Sequence, residues 1–346
     1  MVKLFWVSVL LILLNINTFS QEKKYKALCV AFYNLENFFD TINDPNKNDE
    51  EFLPNGKNNW NTKKYNTKIE HNSEVITQIA DEIQAKGPVI IGVSEVENKN
   101  VLEDLIVSPL MAPLNYGYVL VEGPDKRGVD VALLYQKKYF TVTNVRSATL
   151  RIPGKTDWFT RDQLVVTGNL DGEKFNFIVN HWPSRSGGEK RSAPLRNAAA
   201  DLCKSLADSI YKSDPNAKII IMGDLNDDPT NKSLTQHLQA KGNVEELKSG
   251  DLFNPMYNLF VKDGIGSLAY RDKWDLFDQI IVSQPLLEKD KSSYRFLHAK
   301  IFNKNFLVQK DGAFAGYPFR TYVAGNWMGG YSDHFPAYII LVKEKY

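Results

Sequence analysis

The stretch AKIIIMGDLNDDP (217–229) decides how this chain is read. Four consecutive apolar residues, Ile219 to Met222, run into Gly223 and then into a group of acids and amides that begins with Asp224 and Asn226. An apolar run of this length is typical of a buried strand, and α/β sheets place their ligand sites at strand ends. The stretch therefore predicts a buried strand with polar side chains at its carboxyl end. Taken alone, Asp-Leu-Asn after Gly is more often a turn than a site, since Asp and Asn bond their own backbone.

Strand-like and helix-like segments alternate along the rest of the chain, as they do in α/β proteins. Apolar residues at helical spacing predict helices at 67–86 and 193–212. Several strands follow one another directly, which implies hairpins and therefore mixed sheets. Continuous or alternating apolar runs predict strands at 26–35, 89–96, 129–135, 139–152, 163–170, 175–182, 278–283 and 335–342.

The segment 40–66 is rich in Asn, Asp and Lys and is predicted to be a long loop, either functional or mobile. No internal repeat and no composition break follows residue 21. With 346 residues, of which 43% are hydrophobic, the chain can bury a large core. We therefore expect one domain of two packed sheets with helices outside.

The first twenty residues differ from the remainder. Lys3 precedes the apolar run LFWVSVLLILLNIN (4–17), and the small residues Thr18 and Ser20 follow it. This pattern predicts a signal peptide over 1–20 and a domain over 21–346 that is secreted or periplasmic. The run is short for a membrane span, so an uncleaved anchor is the alternative, and no membrane anchor is expected after cleavage.

Charge and cysteine usage limit the partners. The formal net charge is +1, so any nucleic-acid binding must come from a local patch. Cys29 and Cys203 are the two cysteines; in an exported protein they either form a disulfide or remain as two buried thiols. Neither is expected to be catalytic.

Further polar residues collect at the ends and starts of the predicted strands. Each of them alone has a simpler explanation as a turn, a helix cap, a solvated surface group or a hydrogen-bonded core histidine. The whole set in one chain is hard to explain as a coincidence of turns. Its members are Asn34, Glu36, Glu95, His181, Asp224, Asn226, Asp278, Asp333 and His334.

The motifs around these residues are YNLEN (33–37), SEVEN (94–98), NHWPS (180–184), GDLND (223–227), FDQI (277–280) and SDHFP (332–336). This set resembles the endonuclease/exonuclease/phosphatase superfamily, which includes DNase I, apurinic endonucleases, bacterial sphingomyelinases and inositol polyphosphate 5-phosphatases. The order and rough spacing match over residues 26–342. The resemblance implies a four-layer α/β sandwich of the DNase I type, with two mixed β-sheets packed face to face and flanking helices.

The resemblance also implies hydrolysis of a phosphate ester with Mg²⁺, or with Mn²⁺ or Ca²⁺ in its place. Mg²⁺ prefers oxygen ligands and needs only one or two carboxylates. Glu95 would be the main metal carboxylate, with Asn34 beside it and Asp333 as an additional ligand. Glu36 stands where some relatives carry Asp, which leaves its ligand role open.

The same resemblance assigns the catalytic roles. Asp224 would orient or deprotonate the attacking water, and Asn226 would hold a phosphate oxygen. His181 and His334 would flank the phosphate, where two imidazoles of opposite protonation stabilise the transition state and serve the leaving oxygen. Asp278 would hold the ring of His334 in one tautomer. Asp130 is a candidate acid partner for His181.

Arginines add to the predicted site. Arg161 resembles a phosphate-contacting arginine of DNase I, and Arg185 is expected to bind substrate because a guanidinium suits phosphate. Arg185, Arg191 and Arg196 all lie in SRSGGEKRSAPLR (184–196), which is alternatively a solvated helix start.

These features predict a monomeric phosphodiesterase that acts on nucleic acid. His181 resembles DNase I-like enzymes and sphingomyelinases, whereas apurinic endonucleases carry Tyr there. KWDLFDQI (273–280) departs from the inositol phosphatase motif. A phosphatase or a lipid phosphodiesterase is the alternative, and Trp327 and Met328 would suit an apolar membrane-contacting hairpin. A non-catalytic binding protein on this scaffold is a third hypothesis.

Overall fold

A computed structural model describes residues 24–345, so the predicted signal peptide (1–20) lies outside the described residues. Two large mixed sheets pack face to face, and helices cover their outer faces, which confirms the predicted fold class. No helix formed by residues 24–345 has both the length and the apolar character to span a bilayer.

The helices are α1 (Thr62–Gln78), α2 (Lys99–Ile106), α3 (Glu189–Ser213) and α4 (Met256–Val261). The strands of the two large sheets and of two small hairpins are β1 (Lys24–Phe38), β2 (Ile90–Val96), β3 (Tyr116–Leu120), β4 (Asp130–Gln136), β5 (Phe140–Ala148), β6 (Gln163–Leu170), β7 (Glu173–His181), β8 (Lys218–Asp224), β9 (Ala240–Lys241), β10 (Leu252–Phe253), β11 (Leu268–Tyr270), β12 (Lys273–Asp275), β13 (Asp278–Ser283), β14 (Arg295–Ile301), β15 (Tyr322–Val323), β16 (Asn326–Trp327) and β17 (Ala337–Lys345).

Each sheet combines parallel and antiparallel neighbours. The six-stranded sheet has the order β14-β17-β1-β2-β4-β3, and only β1 and β2 are parallel. The seven-stranded sheet has the order β5-β6-β7-β8-β13-β10-β9, in which β7 and β8 form the long parallel pair. The carboxyl ends of β1, β2, β7 and β8 therefore supply most of one rim of the sandwich.

Side-chain alternation along β8 shows how this rim is built. Ile220 and Met222 belong to the core between the sheets, whereas Ile219 and Ile221 pack toward α3 on the outer face. Because side chains alternate with a period of two, Asp224 emerges on the same side as Met222, between the sheets.

The two sheets approach closely beneath the rim. A Cβ atom on Gly92 of β2 would lie 2.6 Å from the sulfur of Met222 on β8, so glycine is required for the approach. The same face of β7 carries His181, two residues after Val179, which packs in this core. The alternating pattern thus directs polar rim residues of the seven-stranded sheet into the space between the sheets.

The helices cover the outside of the sandwich. α3 packs on the seven-stranded sheet through a stripe of residues, and α1 and α2 pack with the six-stranded sheet. Cys29 and Cys203 are both buried and free, so the alternative of two buried thiols is correct. They lie in different hydrophobic clusters, one on each side of the sandwich.

The prediction of a loop over all of 40–66 was wrong in part. α1 begins at Thr62, because the side chain of Asn61 caps it by accepting a hydrogen bond from the backbone N–H of Lys64. Its first turn is polar, so the apolar periodicity starts too late to mark it. Trp60 is buried and donates from its indole to the carbonyl of Phe39 at 3.0 Å, which fixes the end of the segment against β1.

Other boundaries of helices and strands also differ from the predicted ones. α1 ends at Gln78 rather than at 86, and a 3₁₀ turn follows at Asp81–Ile83. α3 starts at Glu189, four residues before the predicted start, and contains Pro194. β5 ends at Ala148 rather than at 152. The strands β3 and β14 and the helix α2 were not predicted.

Candidate active site

Four residues of the rim have left-handed backbone although none is glycine. They are Glu36 (φ 47°), Asn37 (φ 53°), Glu95 (φ 60°) and Asn226 (φ 52°). Asparagine tolerates this conformation, but glutamate rarely adopts it, and such residues concentrate at functional sites. The register of β2 shifts around Glu95, so the turn redirects its side chain at the end of the strand.

Asp224 lies at the centre of the predicted residues. Its Oδ2 accepts a hydrogen bond from Asn34 Nδ2 at 3.1 Å, which joins the two sheets. The Nε2 atoms of His181 and His334 lie 3.6 Å and 4.0 Å from the same oxygen. These separations are too long for direct hydrogen bonds. Two imidazoles and a carboxylate thus converge on one small volume.

The backbone around Asp224 is fixed by a local turn. Its Oδ1 accepts a hydrogen bond from the N–H of Asn226 at 3.0 Å. The amide group of Asn226 donates at 3.0 Å to the carbonyl of Trp182, which is the residue directly after His181. The Asp-Leu-Asn turn is real, as the simpler explanation predicted, and it also sets the positions of both side chains.

Asp278 and His334 form a buried acid–imidazole pair. His334 Nδ1 lies 2.6 Å from Asp278 Oδ2, which also accepts from the hydroxyl of Ser267 at 2.5 Å. Burial alone would lower the pKa of His334, but the carboxylates of Asp278 and Asp224 outweigh it and hold this pKa well above its usual value. His334 is therefore an imidazolium near neutral pH, with its Nε2 directed at the centre of the site.

His181 has the opposite protonation. Burial lowers its pKa well below the usual value, and the positive charges of Arg161 and Arg127 act in the same direction. Its Nδ1 is buried and has no hydrogen-bond partner within residues 24–345. The candidate acid partner, Asp130, instead accepts from the N–H of Gly123 at 2.9 Å, so that pairing was wrong.

Glu95 and Asn34 offer oxygen atoms at adjacent strand ends. Glu95 accepts from the N–H of Asn37 through Oε2 at 2.7 Å, and its Oε1 lies 3.7 Å from Arg127 Nη2. Asn34 Oδ1 accepts from the N–H of Glu36 at 2.9 Å and keeps its second lone pair. Within residues 24–345, no three His, Cys, Asp or Glu side chains form a cluster that would hold a metal ion.

A carboxylate and an amide oxygen nevertheless fit Mg²⁺, which retains several waters and needs few protein ligands. The charge around them favours a cation. The pKa of Asp224 is raised to about 6, because burial and the nearby charges of Asp278 and Glu95 together outweigh the lowering by His334. A divalent ion would relieve this accumulation of negative charge.

Asp333 lies beside the imidazolium but is already paired. Its Oδ2 accepts from Arg320, and its Oδ1 lies 3.9 Å from His334 Nε2. Glu36 turns toward the same segment: it accepts from the N–H of Thr321 at 2.6 Å and lies 3.8 Å from Arg320 Nε. Both acids therefore hold the segment before His334.

The predicted arginines are closely paired. Arg161 is buried, donates to the carbonyl of Trp182 at 2.6 Å and lies 3.6 Å from Asp125. Arg185 contacts Asp227 at 3.3 Å and Asp228 at 3.2 Å. These contacts order the loops that follow His181 and Asp224.

Of the two other arginines in the 184–196 segment, Arg196 fits neither alternative given for them, whereas Arg191 fits the solvated helix start. Arg196 is fully buried, and its Nε lies 2.7 Å from Asp227, so it neither faces solvent nor reaches the rim. Arg191 is exposed on the first turn of α3. The segment is thus not simply a solvated helix start.

Sequence reasoning missed several members of the site. Lys68 is completely buried in α1 and lies 3.9 Å from Glu36. Arg127 and Arg320 lie beside Glu95 and Asp333, and Ser267 holds Asp278. A lysine on the otherwise apolar face of a predicted helix was the one signal available for Lys68. The others lie in irregular segments without a motif.

The geometry agrees with what a comparison of the sequence with family models finds. The model described as "Endonuclease/Exonuclease/phosphatase family" matches residues 29–343. The chain belongs to this family. Its members hydrolyse phosphate esters and typically use divalent metal ions, so the protein is a hydrolase of this superfamily. No curated protein sequence matches the chain.

Solved structures share the fold. An endonuclease/exonuclease/phosphatase family protein from Bacteroides thetaiotaomicron is 18% identical, with a TM-score of 0.54 over 92% of this chain and 98% of that one. A mannosyl-6-phosphatase from the same organism is 18% identical, with a TM-score of 0.52 over 91% and 99%. D. rerio TDP2, complexed with single strand DNA product, is 13% identical, with a TM-score of 0.53 over 91% and 98%. At these identities the likeness shows the fold alone.

Proposed function

We propose that this protein is a secreted, Mg²⁺-dependent phosphodiester hydrolase that acts on nucleic acid. The observation that carries the proposal is the convergence of the Nε2 atoms of His181 and His334 on Asp224 Oδ2, which also accepts from Asn34 Nδ2. Glu95 is near enough for its charge to raise the pKa of Asp224. Acid, base and charge-stabilising groups thus occupy one small volume, which is what hydrolysis of an anionic ester requires.

The residues have distinct roles in the proposed reaction. Asp224 accepts a hydrogen bond from a water molecule and takes its proton as the water oxygen attacks phosphorus. His334, held by Asp278, donates its Nε2 proton to the leaving oxygen as the phosphorus–oxygen bond breaks. His181 and Asn226 contact the phosphate oxygens.

Asn34 and Glu95 would hold the divalent ion, with Asp333 as an additional oxygen donor once Arg320 releases it. The ion supplies charge neutralisation at the phosphate. Glu95 has left-handed backbone at the end of β2, and its Oε1 lies 3.7 Å from Arg127. This chain therefore provides one fixed carboxylate and one fixed amide at that position.

Two clefts favour a diester over a monoester. One, of about 500 Å³, is lined by Asn37 and Arg127 on the Glu95 side of the centre. The other, of about 710 Å³, is lined by Arg185, Arg320 and Asp333, the last of which directly precedes His334. A diester carries a substituent on each side of its phosphorus, and each cleft would accommodate one.

The lipid alternative has less support. The hairpin of β15 and β16 exists, but Trp327 packs with its ring centroid 5.9 Å from that of Trp60 and 5.2 Å from that of Tyr322. Met328 is the exposed apolar residue at this place. The aromatic side chain that would enter a membrane is thus committed to the core.

The test compares substrates and variants. We expect hydrolysis of bis(p-nitrophenyl) phosphate and of DNA or RNA with Mg²⁺, and its loss with EDTA. Asp224→Asn should lower kcat by about 10²–10⁴-fold, whereas Asp263→Asn, an exposed aspartate after α4, should not change it.

Three results would contradict the proposal. Activity that survives EDTA would rule out the metal, and a preference for p-nitrophenyl phosphate would indicate a monoesterase. Failure to hydrolyse any of these esters with Mg²⁺ or Mn²⁺ would favour the binding-protein hypothesis. Sphingomyelin, tested in parallel, decides the lipid alternative.

A further inference from the structure

The larger cleft is bordered by a hairpin whose tip exposes an aromatic ring and a cation. β11 and β12 pair directly, and Arg271 and Asp272 form the two-residue turn with left-handed backbone at φ 51° and 62°. Tyr270 at the end of β11 is 63% exposed, although aromatic side chains are usually buried. The ring also lines the cleft itself, so a ligand in the cleft can reach it.

The hairpin is rigid and is joined to the catalytic pair. At its tip, the hydroxyl of Tyr317 contacts both the N–H and the carboxylate of Asp272 at 2.6 Å. Trp274 stacks on Phe335, the residue after His334, with centroids 6.1 Å apart and planes at 15°. The hairpin therefore presents Tyr270 at a fixed position relative to His334.

Its base is tied to the same pair. Ser267, directly before β11, donates through its hydroxyl to Asp278, and its backbone carbonyl accepts a hydrogen bond from the N–H of Phe335 at 2.7 Å. A substrate that contacts the tip of the hairpin is thus held at a fixed position relative to Asp278 and His334.

The lining of the cleft has a small excess of positive charge, with four cations, Arg185, Arg271, Lys273 and Arg320, against three acids, Glu189, Asp275 and Asp333. Lys273 and Arg185 are tied to acids, and Arg320 pairs with Asp333 at the inner end. Arg271 differs, because none of the ion pairs formed by residues 24–345 includes it. Its guanidinium lies 5.2 Å from the centroid of the Tyr270 ring, so ring and cation form one platform.

We propose that Tyr270 and Arg271 form a subsite for the nucleotide next to the scissile phosphate, with the base on the Tyr270 ring and the following phosphate on Arg271. The inference rests on the proposed function, since it names the substrate of the same site as a single-stranded nucleic acid. Bases of any identity stack on an aromatic ring, so the subsite selects a nucleotide chain and not a sequence.

The test measures binding without catalysis. Asp224→Asn protein in EDTA is titrated against fluorescein-labelled hexathymidylate and against an abasic hexamer with the same phosphates, and anisotropy gives both Kd values. Adding Tyr270→Ala should raise the Kd for hexathymidylate by about 5–100-fold, because stacking contributes that much per base. The Kd for the abasic hexamer should change less than twofold.

Arg271→Ala should raise both Kd values and reduce the slope of log Kd against log salt by about 0.7. Tyr25→Ala is the control, since Tyr25 is also exposed but lies near the start of β1, nine residues before Asn34. It should leave both values unchanged.

An unchanged Kd for hexathymidylate in the Tyr270→Ala protein would overturn the inference, and so would equal losses for both hexamers. Hydrolysis of hexathymidylate by the wild-type protein with Mg²⁺ is measured separately. If the wild-type protein hydrolyses hexathymidylate but Tyr270→Ala does not change the Kd, the subsite is refuted and the proposed function is still supported. Tyr270-dependent binding without hydrolysis supports the subsite and refutes the nuclease.

Discussion

Lys68→Met removes a cation that α1 buries completely beneath the candidate active site. The ammonium group donates to the hydroxyl of Thr321 at 2.7 Å and to the carbonyl of Tyr331 at 2.6 Å, and it lies 3.9 Å from Glu36 Oε2. Methionine fills similar space but donates no hydrogen bond. The variant therefore leaves a buried carbonyl without its donor and a buried carboxylate without one of its two neighbouring cations.

The cost follows from these contacts. Breaking a buried ion pair by removing one partner costs about 3–5 kcal/mol. Glu36 keeps the N–H of Thr321 and the guanidinium of Arg320, whose Nε lies 3.8 Å away, which limits the loss. We expect the free energy of unfolding to fall by about 3–4 kcal/mol, which lowers Tm by roughly 6–16 °C at 2–4 °C per kcal/mol for a large domain.

Urea unfolding followed by circular dichroism at pH 8 measures the loss. Lys63→Met is the matched control, because Lys63 is exposed on the same helix, and it should change the stability by less than about 0.5 kcal/mol. The double variant Lys68→Met/Glu36→Gln removes both charges and should recover at least half of the loss. A loss below about 1 kcal/mol for Lys68→Met, or an equal loss for Lys63→Met, would refute the reasoning.

Three further predictions concern other buried groups. Asp278→Asn removes the charge that stabilises the His334 imidazolium, so kcat on bis(p-nitrophenyl) phosphate should fall by about 10²–10⁴-fold; a loss below tenfold would contradict the pairing. Burial raises the pKa of Asp130 to about 7, so its contribution to stability is fully present below pH 4 and is lost as the pH rises through 7. Asp130→Asn should therefore reduce the fall in Tm between pH 5 and pH 8. An unchanged dependence of Tm on pH would contradict the raised pKa of Asp130. Cys29 and Cys203 should react with a thiol reagent only after unfolding, when two thiols per chain become measurable; labelling of the native protein would show that one is accessible.

Local patterns predicted much of the fold. Apolar runs located β2, β7, β8 and β13 because a strand buried on both faces needs continuous hydrophobicity. The start of α1 was missed because its first turn is polar and is fixed by a cap. The strand β14 was missed because several of its residues are only partly buried. Short hairpin strands carry too few residues to show a period.

The site was predicted only as far as its motifs reach. Asp224, Asp278 and His334 follow or precede recognisable strands, so their convergence follows from the sheet order. Asp333 pairs with Arg320, which lies thirteen residues earlier in an irregular segment. No periodicity in the sequence connects these two residues. The failed pairing of Asp130 with His181 has a similar cause, because the N–H of Gly123 in a neighbouring loop takes the carboxylate instead. Long-range electrostatics within loops leave no pattern in the sequence.

The position of β17 has a consequence for how the molecule is made. Residues 337–345 form an inner strand of the six-stranded sheet, between β14 and β1, where β1 pairs with β17 from Lys24 to Phe32. While a ribosome is still translating the preceding residues, the edge of β1 has no neighbour, and the first sheet cannot close. The fold is therefore completed only after β17 has been synthesised. A nascent chain arrested before residue 337 would contain His334 but would lack the complete sheet that aligns this residue.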